Sequence, residues 1–149
     1  MKIAGTISGI LAKKGSTVWS ILPAATVFDA IALMADKNIG ALPVVENDRL
    51  IGIVSERDYS RKVILKGKSS KETRVEEIMT RDLVTAKPSD TVVDCMRVMT
   101  EKRVRHLPVM EGAKMVGVLS IGDLVKCLIS AHAETIDNLE QYITGATLD

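Results

Sequence analysis

Hydrophobic residues recur at helical spacing behind two threonines. The apolar positions that follow Thr26 and Thr91 are Val27, Ala30, Ile31, Met34 and Ala35 in the first case and Val92, Cys95, Met96 and Met99 in the second. This spacing predicts an amphipathic helix in each segment, because side chains three and four residues apart share one helical face. A threonine directly before the first apolar residue is typical of a helix N-cap. We therefore expect two helices of similar design.

Each predicted helix is followed by two short apolar runs with a polar turn between them. Together the runs and turns span 41–54 in the first segment and 106–119 in the second. Such paired runs predict a β-hairpin. Further elements are expected at the two ends of each segment, namely a short extended piece before the helix (18–23 and 83–88) and a second helix opened by a serine (Ser55 and Ser120). The predicted unit is β-α-β-β-α.

The unit occurs twice in register. When Pro23 is aligned with Pro88, an offset of 65, residues 23–64 and 88–129 match without a gap and share 14 identities in 42 positions. Two copies of one unit are expected to pack face to face about a pseudo-twofold axis, because together they bury apolar surface that neither copy can bury alone. We therefore predict an α/β fold of the α+β type. The predicted organisation is an N-terminal helix (1–15), a first repeat (16–65), a polar linker (66–77), a second repeat (78–132) and a C-terminal helix or tail (133–149).

Composition and charge exclude several functional classes. Aromatic residues make up 3% of the chain and the formal net charge is +1, which argues against stacking platforms or a strong electrostatic attraction to nucleic acid or to an anionic membrane. Two cysteines and two histidines leave little material for a metal site or a disulfide framework. There is no apolar run of membrane-spanning length and no recognisable signal peptide, so we predict a cytoplasmic protein.

Both repeats resemble the CBS (cystathionine-β-synthase) domain. The resemblance rests on Ala41-Leu-Pro-Val44 with Gly52-Ile-Val-Ser-Glu-Arg-Asp58, on His106-Leu-Pro-Val109 with Gly117-Val-Leu-Ser-Ile-Gly-Asp123, and on the segment Ile78–Asp82. A tandem pair of CBS domains is called a Bateman module. The resemblance to stand-alone pairs implies a regulatory module that binds an adenine nucleotide, has no chemistry of its own and forms a homodimer.

The segment Ser55-Glu-Arg-Asp58 has two interpretations. In one it is a capping box, in which the serine and the acid satisfy free backbone N–H groups at a helix start. In the other, the hydroxyl and the helix start face a phosphate, while the carboxylate accepts hydrogen bonds from ribose hydroxyls. The same alternatives hold for Ser120-Ile-Gly-Asp123. The resemblance implies the ribose role for Asp58 and Asp123.

The segment Arg103-Val-Arg-His106 differs from its counterpart Asn38-Ile-Gly-Ala41 at the position where the family layout would place a phosphate. It is either a solvated turn or a phosphate site, since an arginine fork and a histidine both donate to phosphate. Arg57 is a third candidate cation.

The family layout implies two clefts, each drawing on both repeats. Cleft one is expected to contain Thr85, Val104, Arg105, His106 and Pro108 with Ile53, Ser55, Arg57 and Asp58. Cleft two is expected to contain Ser20, Ile39, Gly40, Ala41 and Pro43 with Val118, Ser120 and Asp123. Because the second set holds no arginine or histidine, we expect AMP in cleft one. ADP, ATP, NAD and S-adenosyl compounds are alternatives, with cleft two either empty or holding the less charged end of a larger ligand such as NAD.

The sequence disfavours two other functional classes. An enzyme is disfavoured because the sequence shows no nucleophile–base pair, P-loop, Rossmann glycine set or metal cluster, so we expect neither catalytic residues nor a catalytic cofactor. An RNA-binding protein would use a basic patch formed by Arg97, Lys102, Arg103 and Arg105, but the net charge argues against it. The sequence leaves any regulated partner unidentified.

Overall fold

The computed structural model describes residues 5–15 and 17–131. Its first half contains α1 (Ile7–Lys14), α2 (Val27–Lys37), β1 (Ala41–Glu46), β2 (Arg49–Ser55), α3 (Glu56–Tyr59) with a π-helical continuation over Ser60–Ile64, and α4 (Val75–Ile78). Its second half contains α5 (Val92–Lys102), β3 (His106–Glu111) and β4 (Lys114–Ser120), followed by α6, which is helical over 121–131. The predicted C-terminal helix or tail, 133–149, lies outside the described residues.

Two antiparallel hairpins form the sheets, as the sequence predicts, whereas the predicted extended pieces 18–23 and 83–88 contribute only isolated parallel bridges, Ile21 to Val44 and Ala86 to Val109. Strand β1 pairs with β2 and β3 pairs with β4, with Pro43 opposite Ile53 and Pro108 opposite Val118. Between β1 and β2 the chain turns through Asn47 and Asp48, both with positive φ (52° and 61°). Asn and Asp tolerate that conformation better than most residues, and two such residues make the tight turn that matches strand twist. The α+β fold built from two equivalent units is confirmed.

The two threonines cap their helices as expected. Thr26 Oγ1 accepts the backbone N–H of Asp29 at 3.1 Å, and Thr91 Oγ1 accepts that of Asp94 at 3.1 Å. Each cap contributes about 1 kcal/mol by satisfying a free donor in the first helical turn. Both helices therefore begin where the sequence predicts.

Each repeat has its own hydrophobic core beneath its hairpin and helices. The first core centres on Val27, Leu42 and Val54, and the second on Val92, Leu107 and Leu119. These side chains are 0 to 1% exposed, so each contributes about 1.5–3 kcal/mol relative to an exposed position. Each copy of the sequence repeat therefore forms a hydrophobic core of its own.

Segments that precede one repeat pack on the other. Helix α4 precedes the second repeat, yet Val75 and Ile78 belong to the first core, and Thr80 exchanges two backbone hydrogen bonds with Ile53 (2.8 and 3.0 Å). The predicted linker 66–77 therefore includes a short helix that completes the first repeat.

Helix α1 shows the reverse arrangement. It precedes the first repeat, but its fully buried Ile7 belongs to the second core, and Leu11 packs on Gly117 in β4. The observed helix begins at Ile7, somewhat later than the predicted N-terminal helix. None of the helices in the described residues is long and apolar enough to cross a membrane.

Candidate functional site

The start of α3 and the junction between α5 and β3 both line a cavity of about 530 Å³, which we call cleft one. Predicted residues that line it are Ile53, Ser55, Arg57, Asp58, Val104, Arg105 and His106. The other two predicted residues are not among those that line it; Thr85 is exposed and Pro108 is buried within β3. Lining residues absent from the predicted set are Gly40, Glu56, Arg61, Lys62, Thr80 and Arg103.

Asp58 takes part in a reciprocal capping box. Its Oδ2 accepts the Ser55 backbone N–H at 2.9 Å and the Ser55 hydroxyl at 3.1 Å, and its own N–H donates to Ser55 Oγ at 3.2 Å. Its other oxygen, Oδ1, lies 3.1 Å from Lys62 Nζ. The capping interpretation of this segment is confirmed, and Oδ1 is the carboxylate oxygen not used by the cap.

Arginines dominate the charge of cleft one. Within the described part of the chain, Arg57, Arg61, Arg103 and Arg105 have no acidic partner within 4.0 Å. Opposing them are the carboxylates of Glu56 and Asp58, the second of which is already paired with Lys62. Cleft one is therefore a site of excess positive charge.

Sequence spacing could have identified two of the cations that the prediction missed. Arg61 and Lys62 follow Asp58 by three and four residues, a separation that places side chains on one face of a helix. Lys62 does reach Asp58 from that position.

Arg103 occupies a backbone conformation that arginine rarely adopts. It ends α5 with φ 56° and ψ 41°, in the left-handed region, where its counterpart Asn38 ends α2 with φ 55°. Asparagine tolerates this region, whereas most side chains pay about 1–2 kcal/mol there. The left-handed conformation ends the helix at the same position in both repeats, and in the second repeat this end carries Arg103, which lines cleft one.

A second cavity of about 260 Å³, cleft two, lies at the equivalent place on the other side of the repeat pair. Predicted residues that line it are Ile39, Gly40, Ala41, Pro43, Val118, Ser120 and Asp123, whereas Ser20 is exposed and does not line it. Lining side chains that the prediction missed include Leu11, Lys14, Trp19 and His106. Cleft two therefore contains a lysine and a histidine that the carried-over positions lacked.

The acid of cleft two is paired with a lysine from α1. Lys14 Nζ lies 2.8 Å from Asp123 Oδ2 and donates to the Val118 carbonyl at 2.7 Å. The same carboxylate oxygen accepts the Ser120 backbone N–H at 2.9 Å. Burial raises the pKa of Asp123, but the Lys14 ammonium and the Ser120 N–H outweigh it, so that the pKa lies below its ordinary value.

His106 lines both clefts. Burial lowers its pKa below the ordinary value of 6.5; Lys14 and Arg105 lower it further, and Asp123 acts in the opposite direction. At neutral pH the imidazole is therefore uncharged, with one nitrogen able to donate and the other to accept.

Comparison with known proteins gives matches over most of the chain. The family model for the CBS domain matches residues 16–64 and 75–130. A CBS domain-containing mitochondrial protein of Arabidopsis thaliana, CBSX3, is 42% identical over 150 residues, covering 94% of this chain and 72% of that protein. The name of that relative places it in the mitochondrion, and a cytoplasmic location for this chain stays a prediction.

Solved structures share the fold. A putative signal-transduction protein with CBS domains from Burkholderia ambifaria is 52% identical with a TM-score of 0.81, covering 84% of this chain and 94% of that one. A CBS domain pair in complex with 5′-methylthioadenosine and S-adenosyl-L-methionine is 23% identical with a TM-score of 0.74, covering 83% and 94%. That second likeness shows a shared fold.

Proposed function

This chain belongs to the CBS-domain family as a tandem pair of repeats, and on that premise we propose that it is a regulatory module that binds an adenine nucleotide in cleft one. The observation that carries the proposal is that one cavity is lined both by Asp58 and by four arginines that have no acidic partner among the described residues. A nucleotide needs acceptors for its sugar hydroxyls and cations for its phosphate, and cleft one offers both.

AMP is the ligand whose parts correspond most simply to the residues of cleft one. Asp58 Oδ1 accepts hydrogen bonds from the ribose hydroxyls once Lys62 moves aside. Arg57 and Arg105 neutralise the phosphate, because guanidinium groups bind phosphate oxygens with two parallel hydrogen bonds. The adenine lies between the apolar side chains of Ile53 and Val104.

The size of the cavity supports a ligand of this class. Sites for small molecules are typically about 300–1,000 Å³, and cleft one measures about 530 Å³. A CBS pair of the same fold holds two adenosine compounds, which supports an adenosine ligand here. ADP, ATP, NAD and S-adenosyl compounds share the adenosine part and are the alternatives to test beside AMP.

We propose binding without turnover. The oxygen of Ser55 is engaged with Asp58 in the capping box, so it is held as part of a helix start rather than free as a nucleophile. Incubation with AMP, ATP or NAD should leave each compound intact by chromatography, and the appearance of a product would establish an enzyme instead.

We also propose a homodimer. Large apolar side chains are exposed at equivalent positions of the two repeats, with Phe28 and Val93 at 46% and 44% and Ile64 and Ile129 at 56% and 63%. A second copy of the chain would cover these helical faces, and sedimentation equilibrium measures the resulting mass.

Calorimetry with AMP tests the binding site. Asp58→Asn keeps an oxygen that can accept the Ser55 N–H, so the cap is retained while the negative charge is lost. Loss of a charged hydrogen-bond partner costs about 1.5–3 kcal/mol, which corresponds to about ten- to a hundred-fold weaker binding. Asp48→Asn is the matched control, because that residue lies in a hairpin turn with positive φ that Asn tolerates. Equal affinity of both variants would contradict the assignment of Asp58.

A further inference from the structure

The carboxylate of Asp58 has few open acceptor positions. A carboxylate offers about four lone-pair positions, shared equally between its two oxygens. Asp58 Oδ2 already accepts the backbone N–H and the hydroxyl of Ser55, at 2.9 and 3.1 Å. Oδ1 faces the ammonium of Lys62 at 3.1 Å. Because two neighbouring sugar hydroxyls need two acceptor positions, Oδ1 can bind both of them only when the ammonium has left.

Lys62 is held beside Asp58 by a second contact. Its ammonium also donates to the backbone carbonyl of Ile78 at 2.8 Å, at the C-terminal end of α4. The last carbonyls of a helix have no partner within the helix, so the lysine meets an acceptor that α4 leaves open. The Asp58 side chain is 13% exposed, which limits competition from water, whereas that of Lys62 is 44% exposed. The pair is therefore formed in the free protein, and the lysine can leave it toward solvent.

The second repeat shows that the helix does not require this lysine. At the offset of 65, the residue equivalent to Lys62 is Cys127 in α6. The acid equivalent to Asp58 is Asp123. The lysine that reaches Asp123 is Lys14 of α1, and it contacts Oδ2, which is also the capping oxygen. The two repeats therefore differ in which carboxylate oxygen the lysine contacts, and the contact with the oxygen left by the cap belongs to cleft one.

We propose that Lys62 competes with the ribose of the ligand for Asp58, and that it thereby sets how strongly cleft one prefers a nucleotide with sugar hydroxyls over one without them. The inference rests on the proposed function, since it concerns the same site and the same sugar contact. A protein that must first break an internal contact binds its ligand more weakly, in proportion to the fraction of molecules in the open form. Lys62 therefore raises the nucleotide concentration at which cleft one becomes occupied.

AMP and 2′,3′-dideoxy-AMP are the two probes, because they differ only in the sugar hydroxyls that Asp58 would bind. Calorimetry measures both dissociation constants, and the readout is the constant for dideoxy-AMP divided by that for AMP. Removal of a positive charge weakens binding of the phosphate that both probes carry, so this effect cancels in the ratio. Lys62→Met should raise the ratio by about threefold or more, since the hydroxyls no longer have to displace a charged hydrogen-bond donor.

Arg61→Met is the matched control. Arg61 lines the same cleft, carries the same charge and has no acidic partner within 4.0 Å in the described part of the chain. Its substitution should weaken binding of both probes and leave the ratio unchanged. In the Asp58→Asn background, Lys62→Met should no longer alter the ratio, because the contact for which it competes is gone. Lys62→Gln, which can still donate to the Ile78 carbonyl, replaces Lys62→Met if thermal unfolding shows the latter to be misfolded.

The results separate this inference from the proposed function. AMP binding with an equal or lower ratio in Lys62→Met would overturn the competition and leave the proposed function standing. A higher ratio that persists in the Asp58→Asn background would also overturn it, because the sugar would then be bound elsewhere. Absence of AMP binding in both the unaltered protein and Lys62→Met would refute the proposed function itself.

Discussion

The imidazole of His106 in the second repeat lies against Gly40 of the first, with its Nε2 3.4 Å from the point that a β-carbon on residue 40 would occupy. Both residues line both clefts. The two candidate sites therefore share this pair of residues, and the close approach of the imidazole is made possible by the absence of a side chain at position 40.

Gly40→Ala should weaken AMP binding several-fold while leaving the fold intact. The added methyl would lie 3.1 Å from Glu56 Oε1 and 3.4 Å from His106 Nε2. Glu56 is a flexible side chain that can move, so we expect a change in the free energy of unfolding of less than about 1 kcal/mol. Calorimetry and urea unfolding measure the two effects. An unchanged dissociation constant would show that this contact does not shape cleft one.

The equivalent glycines of the two hairpins should respond differently to alanine. At Gly52 a β-carbon would lie 2.7 Å from Met79 Sδ and 3.0 Å from the backbone oxygen of Thr80. Because backbone cannot easily move aside, Gly52→Ala should cost about 1–3 kcal/mol of stability. Gly117→Ala meets only the Leu11 side chain, which can change rotamer, so it should cost less.

Urea unfolding of both variants tests this order. Gly9→Ala in α1 serves as a control, since nothing lies within 4 Å of its β-carbon position and alanine favours a helix by up to about 1 kcal/mol. Equal losses of unfolding free energy in the Gly52 and Gly117 variants would contradict the difference between a rigid backbone neighbour and the movable Leu11 side chain.

Stability should depend on pH through His106. Burial, together with Lys14 and Arg105, lowers its pKa in the folded protein below 6.5. The unfolded chain then binds this proton at higher pH than the folded chain does, so stability is complete above about pH 7 and decreases as the pH falls through 6.5 toward the folded-state pKa. His106→Gln should lack this part of the pH dependence. Urea unfolding of the unaltered protein and of His106→Gln between pH 8 and 5.5 measures this dependence. The same change of unfolding free energy with pH in both proteins would exclude His106 as its source.

Local features were predictable because the residues that make them are neighbours in sequence. Thr26 caps α2 through Asp29, and Ser55 pairs with Asp58, both within three residues. The hairpins follow from apolar runs on either side of polar turns. The duplication also helped, because the same pattern of residues predicts the same helices and strands in both repeats.

Lys14 could not have been found in this way. It pairs with Asp123 across 109 positions, and it lies outside the aligned repeats, so no counterpart in sequence points to it. Only the packing of α1 on the second core brings the two charges together.

Ser20 illustrates a different limit of prediction. It lies next to Trp19 in a segment, 17–20, that forms neither helix nor strand. Both side chains are exposed, but Trp19 lines cleft two and Ser20 does not. A shift of one residue is enough to change which side chain reaches a ligand, and a motif carried over from a family does not fix it.

The exchange of α1 and α4 between the repeats has a consequence for shortened forms of the chain. Ile7 and Leu11 precede the first repeat but pack in the second. Deletion of the opening residues would therefore damage the distant half of the molecule and spare the adjacent one. Each core therefore includes a helix from outside its own repeat, and a boundary drawn by sequence order would divide both cores.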